Sequence, residues 1–268
     1  MRTINFSKAW KFPARIFQAL ENFPRFFPIL GIFGVLLFQC LETGGAEAMT
    51  PPPRETRVIA GWQVYVGKAL LAQEPKATAR ALELLEKQLQ EIVRVVPAPA
   101  VADLRKVPLY FSPEYPGVKP KAEFHPNAGW LREHGRDPVM AKGVEFTNIR
   151  IFERETDRMP NFALHELAHA YHNLVLPQGA GNPEIIAAYE RARAGGKYDR
   201  VEHWHGSGRS NTFDRAYAMN NPQEFFAENT EAFFSRNDFF PFTRAELKQH
   251  DPETLALLEK LWGVKGKP

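Results

Sequence analysis

Apolar positions recur along the chain with two periods, and the alternation between them predicts an α+β fold. Val58, Ile59, Trp62, Val64, Tyr65 and Val66 predict a first strand. From Ala79 to Val96 the period lengthens, and Leu82, Leu85, Leu89 and Val93 predict an amphipathic helix that Pro97 and Pro99 stop. Val107 to Phe111 predicts a short strand, followed by a turn-rich stretch through Pro113, Pro116 and Pro120. Gly143 to Phe152, with Val144, Phe146, Ile149 and Ile151 in imperfect alternation, predicts another strand. Helix follows between Pro160 and Pro177, then a polar, glycine-containing stretch from Gly179 to Gly208. A second helix starts near Asn221-Pro222 and runs through EFFAENTEAFF. The remainder is helical as well: Thr243 and Glu246 form a capping box, and Asp251-Pro252 opens a helix carrying Leu255, Leu258 and Trp262. Without internal repeats, residues 54–264 are expected to form one domain, with 265–268 as a tail.

The first 48 residues have a different character and predict an export signal. Arg2, Lys8, Lys11, Arg15 and Arg25 make a positive leader, Phe26 to Leu41 an apolar run, and Ala46-Glu47-Ala48 a small-x-small cleavage site. The alternative is an uncleaved membrane anchor, but the apolar run has 16 residues against the roughly 20 that cross a bilayer. Cleavage would leave a secreted or periplasmic protein with no membrane contact, beginning at Met49, with a stiff Pro-rich spacer over 49–53.

Removing this segment also changes the charge. The whole chain has a net charge of +3, but residues 1–48 hold five Lys/Arg against three Glu, so the remainder is near neutral and nucleic acid is not an expected partner. The single cysteine, Cys40, lies in the signal, so the domain has no thiolate ligand, thiol nucleophile or disulfide. Only His, Asp and Glu are left as metal donors.

Those residues occur in a telling order. His165-Glu166-Leu167-Ala168-His169 is H-E-x-x-H inside a predicted helix, where residues four apart share a face and two imidazoles can grip one cation. Glu166, one step on, can approach water at that cation without binding it. The competing reading is a helix with buried, hydrogen-bonded histidines and no metal. A hydrolytic zinc site needs a third donor, and Glu224, Glu228 and Glu231 recur on one face of the second helix. Such a stripe is often a solvated acidic face, but Phe225, Phe226, Phe233 and Phe234 around it argue for a core helix, where aligned carboxylates need a cation. His172 lies two turns beyond His165, roughly 10 Å by helical rise, and reads as packing or as a support behind the ligands. His203-Trp204-His205 reads as an exposed loop, with the substrate cleft as the alternative, and Asn237 to Phe242 as core packing, with a substrate subsite as the alternative.

At HELAH and at Tyr217-Ala-Met-Asn-Asn-Pro-Gln-Glu224-Phe-Phe-Ala-Glu228 the chain resembles the gluzincin metallopeptidases, and within them the catalytic domain of anthrax lethal factor and its ATLF-like relatives. The likeness spans residues 160–235, about a quarter of the chain. It implies a zincin-like metallopeptidase domain: a small mixed sheet, a metal-binding helix and a second ligand-bearing helix. It further implies that Zn²⁺ is held by His165, His169 and Glu224, and that Glu166 is the general base. Tyr217 would assist at the reacting carbonyl or the leaving group, and Glu228 would orient a ligand histidine from behind. The expected activity is hydrolysis of a peptide or protein substrate by zinc-activated water, with the Gly143–Phe152 strand as an edge for an extended peptide or a purely structural edge. Two other readings stand beside it. One is a non-catalytic protein whose structural zinc is closed by His203, His205 or Glu202; the other is a zinc hydrolase of non-peptide amides.

Overall fold

A computed structural model describes residues 51–264. The predicted export signal, the first two residues of the spacer and the tail lie outside the described residues. Ten helices and seven strands follow in order: β1 (Arg54–Ile59), β2 (Trp62–Gly67), α1 (Lys68–Gln73), α2 (Pro75–Val95), α3 (Ala98–Leu104), β3 (Leu109–Phe111), β4 (Ala122–Phe124), α4 (Ala128–Glu133), β5 (Val144–Phe146), α5 (Phe152–Arg158), α6 (Phe162–Leu174), α7 (Pro183–Gly195), β6 (Val201–His203), β7 (Thr212–Asp214), α8 (Pro222–Phe234), α9 (Arg244–His250) and α10 (Pro252–Leu261). None of the described helices is long and apolar enough to cross a membrane.

The fold is α+β around a small mixed sheet. Its order is β1-β2-β3-β5-β4, parallel between β2, β3 and β5 and antiparallel at both margins. One face, carrying Trp62, Val64, Val66, Leu109, Phe111, Val144 and Phe146, packs against α2 and α6. The buried stripe of α2 is Leu82, Leu85, Leu89 and Ile92, whereas Val93 is exposed.

Three predicted elements differ from what the chain forms. The apolar run at 58–66 is a hairpin rather than one strand, because Ala60 (φ 50°) and Gly61 (φ 94°) both take positive φ and reverse the chain. Of the strand predicted over Gly143–Phe152, only Val144–Phe146 is extended; Ile149–Ile151 winds into a 3₁₀ turn that runs into α5. Moreover, β5 is interior to the sheet, so the edge beside the helices is β4 instead. The polar stretch 179–208 contains α7, capped by Asn182 and ended by left-handed Gly196 (φ 67°).

Helices α6 and α8, which carry the candidate donors, are fixed from several sides. Asn161 caps α6 by accepting from Leu164 N–H at 3.1 Å, and its own amide donates to the Gln88 carbonyl at 3.1 Å. The buried Gln88 side chain accepts from Ala163 N–H at 3.0 Å and donates to Thr156 at 3.2 Å. Gln88→Ala is therefore expected to destabilise the fold by about 1–3 kcal/mol, the usual effect of leaving a buried N–H unsatisfied; a denaturant titration unchanged from wild type would refute it. Asn221 caps α8 through Glu224 N–H at 2.9 Å, with Pro222 in the first turn. Beyond α10, Trp262 joins the two helices, stacking on Tyr171 of α6 at 4.1 Å and donating to Thr230 of α8 at 3.1 Å.

Candidate metal centre

Three donors converge where α6 lies along α8. His165 Nε2 and His169 Nε2 are 3.1 Å apart, and Glu224 Oε2 is 3.2 Å from the first and 3.3 Å from the second. Two imidazole lone pairs facing one another repel unless a proton or a cation lies between them. A tetrahedral ion with bonds of about 2.0–2.1 Å places its donors roughly 3.3 Å apart, so the size of this triangle suits a small divalent cation. Among the described residues no fourth donor joins the three.

The three donors are also coupled electrostatically. Burial works against ionisation of Glu224, but His165 and His169 outweigh it and hold the carboxyl well below its usual range. Burial equally works against a charge on His165, and Glu231 together with Glu224 overcomes it, so the imidazole stands well above 6.5.

The back of the His165 ring has its own acid. Its Nδ1 lies 3.4 Å from Glu231 and 3.8 Å from Glu228, and both carboxyls are buried. Burial raises the pKa of each. Glu228 is instead hydrogen-bonded by the Asn237 amide at 3.1 Å. The orienting part expected of Glu228 is thus better placed on Glu231, three residues further along the same face. Loss of such a partner typically weakens metal binding about 10–100-fold, and Glu231→Ala is expected to do so in a chelator competition assay; unchanged affinity would return the part to Glu228.

Glu166 lines the cavity in front of the donors, about 500 Å³ in volume, with Tyr217 across it. Its Oε2 accepts from the backbone N–H of Phe124 at 2.8 Å. That N–H belongs to β4, whose residues Lys121 to Phe124 form a wall of the same cavity. Tyr217 sits in a 3₁₀ turn just before α8 and is 46% exposed; burial of part of the ring and nearby Glu224 raise its pKa, so the phenol keeps its proton at neutral pH.

Among the described residues neither ring nitrogen of His172 has a hydrogen-bond partner, and the ring packs on Phe226 at 5.2 Å, as a packing residue does. Burial, followed by His169, lowers its pKa to about 4. The folded chain keeps His172 neutral down to that pH, while the unfolded chain protonates it near 6.5. Stability is therefore expected to fall as pH drops from about 6.5 to 4, by up to about 3 kcal/mol, and His172→Leu should remove this part of the slope in urea titrations across that range.

Two other segments lie elsewhere than expected or do more. His203 is no loop residue: it ends β6, stacks on Phe239 at 3.8 Å and, with His205, lines a second cavity of about 660 Å³ that shares His165, Glu166 and Tyr217 with the first. Phe239 and Phe242 are buried, as core packing over Asn237 to Phe242 predicts, and Phe239 also reaches the second cavity. Comparison of the chain with protein-family models, with curated proteins and with solved structures finds no match.

Proposed function

We propose that the chain is an exported zinc metallopeptidase with a zincin-like catalytic domain. The observation that carries this reading is the triangle of His165, His169 and Glu224, whose edges match the donor spacing of tetrahedral zinc and whose open side faces a cavity. Zinc in that position supplies a Lewis acid that lowers the pKa of water towards about 7 and polarises a carbonyl. The rest falls to the chain's own side chains. Glu166 is held by Phe124 N–H through one oxygen, leaving the other to take a proton from the attacking water and return it to the leaving amine. The protonated Tyr217 phenol donates to the oxyanion that develops on the substrate.

A peptide is favoured over other amides by β4. Among the described residues it is a sheet edge on the cavity wall, beside which an extended backbone can lie, with the Phe124 N–H already engaged by Glu166. The closed structural site is disfavoured because His203 and His205 gather with Asp214 rather than with His165. Purified protein is expected to contain zinc and to cleave a mixed peptide library, to lose both zinc and activity to a chelator, and to recover activity with added zinc. Protein without bound zinc, or hydrolysis indifferent to chelation, would sink the proposal.

A further inference from the structure

We infer that the β6–β7 hairpin holds a second divalent-metal site, formed by His203, His205 and Asp214 and independent of the triangle on α6 and α8. One donor atom from each of the three residues lies within 4.8 Å of the others. His203 Nδ1 is 3.2 Å from Asp214 Oδ2, and the two imidazole rings are 3.9 Å apart. Thr212, directly opposite His203 in the strand pair, bridges the remaining gap: it bonds His205 Nε2 at 2.8 Å and also the Asp214 carboxylate.

The support behind these donors is of the kind metal-bound histidines have. The other nitrogen of His203, Nε2, faces Asp238 at 3.6 Å, and that carboxylate is buried and ion-paired with Arg158. An acid behind the ring fixes the tautomer and turns Nδ1 towards Asp214, the side on which an ion would be held. Stacking on Phe239 sets the ring plane. The turn after His205 is clamped as well: Asp157 of α5 accepts from both the N–H and the hydroxyl of Ser207 at 2.6 Å. Gly206, at φ 96°, lets the chain pass so close that a Cβ there would lie 2.7 Å from Asp157. Asp214 is half-exposed, so its carboxylate has room to turn onto an ion.

Two imidazoles and one carboxylate select zinc, copper or nickel over magnesium or calcium. His203 and His205 line the second cavity, which Glu166 and Tyr217 also line, so an ion held by them adds positive charge near the proposed active site.

Zinc content after dialysis against zinc separates this inference from the proposed function. Wild type is expected to hold about two ions per chain, His169→Ala about one, His205→Ala/Asp214→Asn about one, and the combined variant none. If wild type holds one ion that is lost with His169→Ala and kept in His205→Ala/Asp214→Asn, the hairpin site is overturned and the peptidase reading survives. If the single ion is instead kept in His169→Ala and lost with the hairpin variant, the hairpin site stands and the peptidase reading fails. On unmutated protein, added zinc should shield His203 and His205 from diethylpyrocarbonate, read by mass spectrometry; labelling unchanged by zinc would mean that His203 is simply an ion-paired histidine between Asp214 and Asp238.

Discussion

Glu166→Gln is expected to lower kcat on a cleaved peptide by about 10²–10⁴-fold, the usual contribution of a positioned general base, while leaving zinc content and thermal stability as in wild type. Gln is nearly isosteric with Glu, and its amide oxygen can still accept the Phe124 N–H that holds residue 166 in place. What it cannot do at neutral pH is take a proton from water. The donors His165, His169 and Glu224 do not involve this side chain, so metal retention should be untouched. Side-by-side measurement of turnover and metal content separates the two effects. Equal turnover in both proteins would remove Glu166 as the base, and zinc lost along with activity would mean that the side chain holds the site together instead.

Trp262→Ala is expected to destabilise the protein by about 3–5 kcal/mol, as truncation of a buried tryptophan does, equivalent to a fall in Tm of roughly 6–20 °C for a domain of this size. Trp262 is almost fully buried among Tyr171, Phe226 and Phe234, and its indole N–H is satisfied by Thr230. Its removal opens a cavity between the helix that carries both histidines and the one that carries Glu224. Because the donor triangle depends on the spacing of those helices, zinc affinity should fall together with stability. Trp262→Phe, which keeps one aromatic ring but loses the hydrogen bond and part of the buried indole, should cost less, about 1–3 kcal/mol. Melting curves of metal-stripped protein make the comparison, and a loss under about 1 kcal/mol for the alanine variant would show that other contacts fix the helix pair.

Legibility from sequence followed the range of the interactions. The histidines of α6 were readable because their relationship is local: four residues on one helix fix the geometry whatever surrounds it. Glu224 was readable as one of three acids on a face, and its position opposite both imidazoles depends on how α6 and α8 meet. Glu231 was in the same stripe, but nothing in the spacing says which acid ends up behind His165. Short elements were read least well. Strand β4 has three residues amid prolines, too few to show a period, so the sequence pattern points to the Gly143–Phe152 segment as the edge instead. Helix α7 buries Ile185, Ala188, Tyr189 and Ala192 at helical spacing, but two of these are alanines, and the apolar stripe is faint. His203, His205 and Asp214 come together through a hairpin whose strands are equally short.

The bonding of Gln88 has a mechanical consequence for α6. Apolar side chains tolerate a helix sliding or turning by a fraction of a residue, since dispersion has little directionality. A hydrogen bond to a single backbone N–H does not. By engaging Ala163 through its side chain and Asn161 through its carbonyl, Gln88 acts as a ratchet pawl on the first turn. A slip of one residue would swing both imidazoles by about 100° and carry them out of line with Glu224.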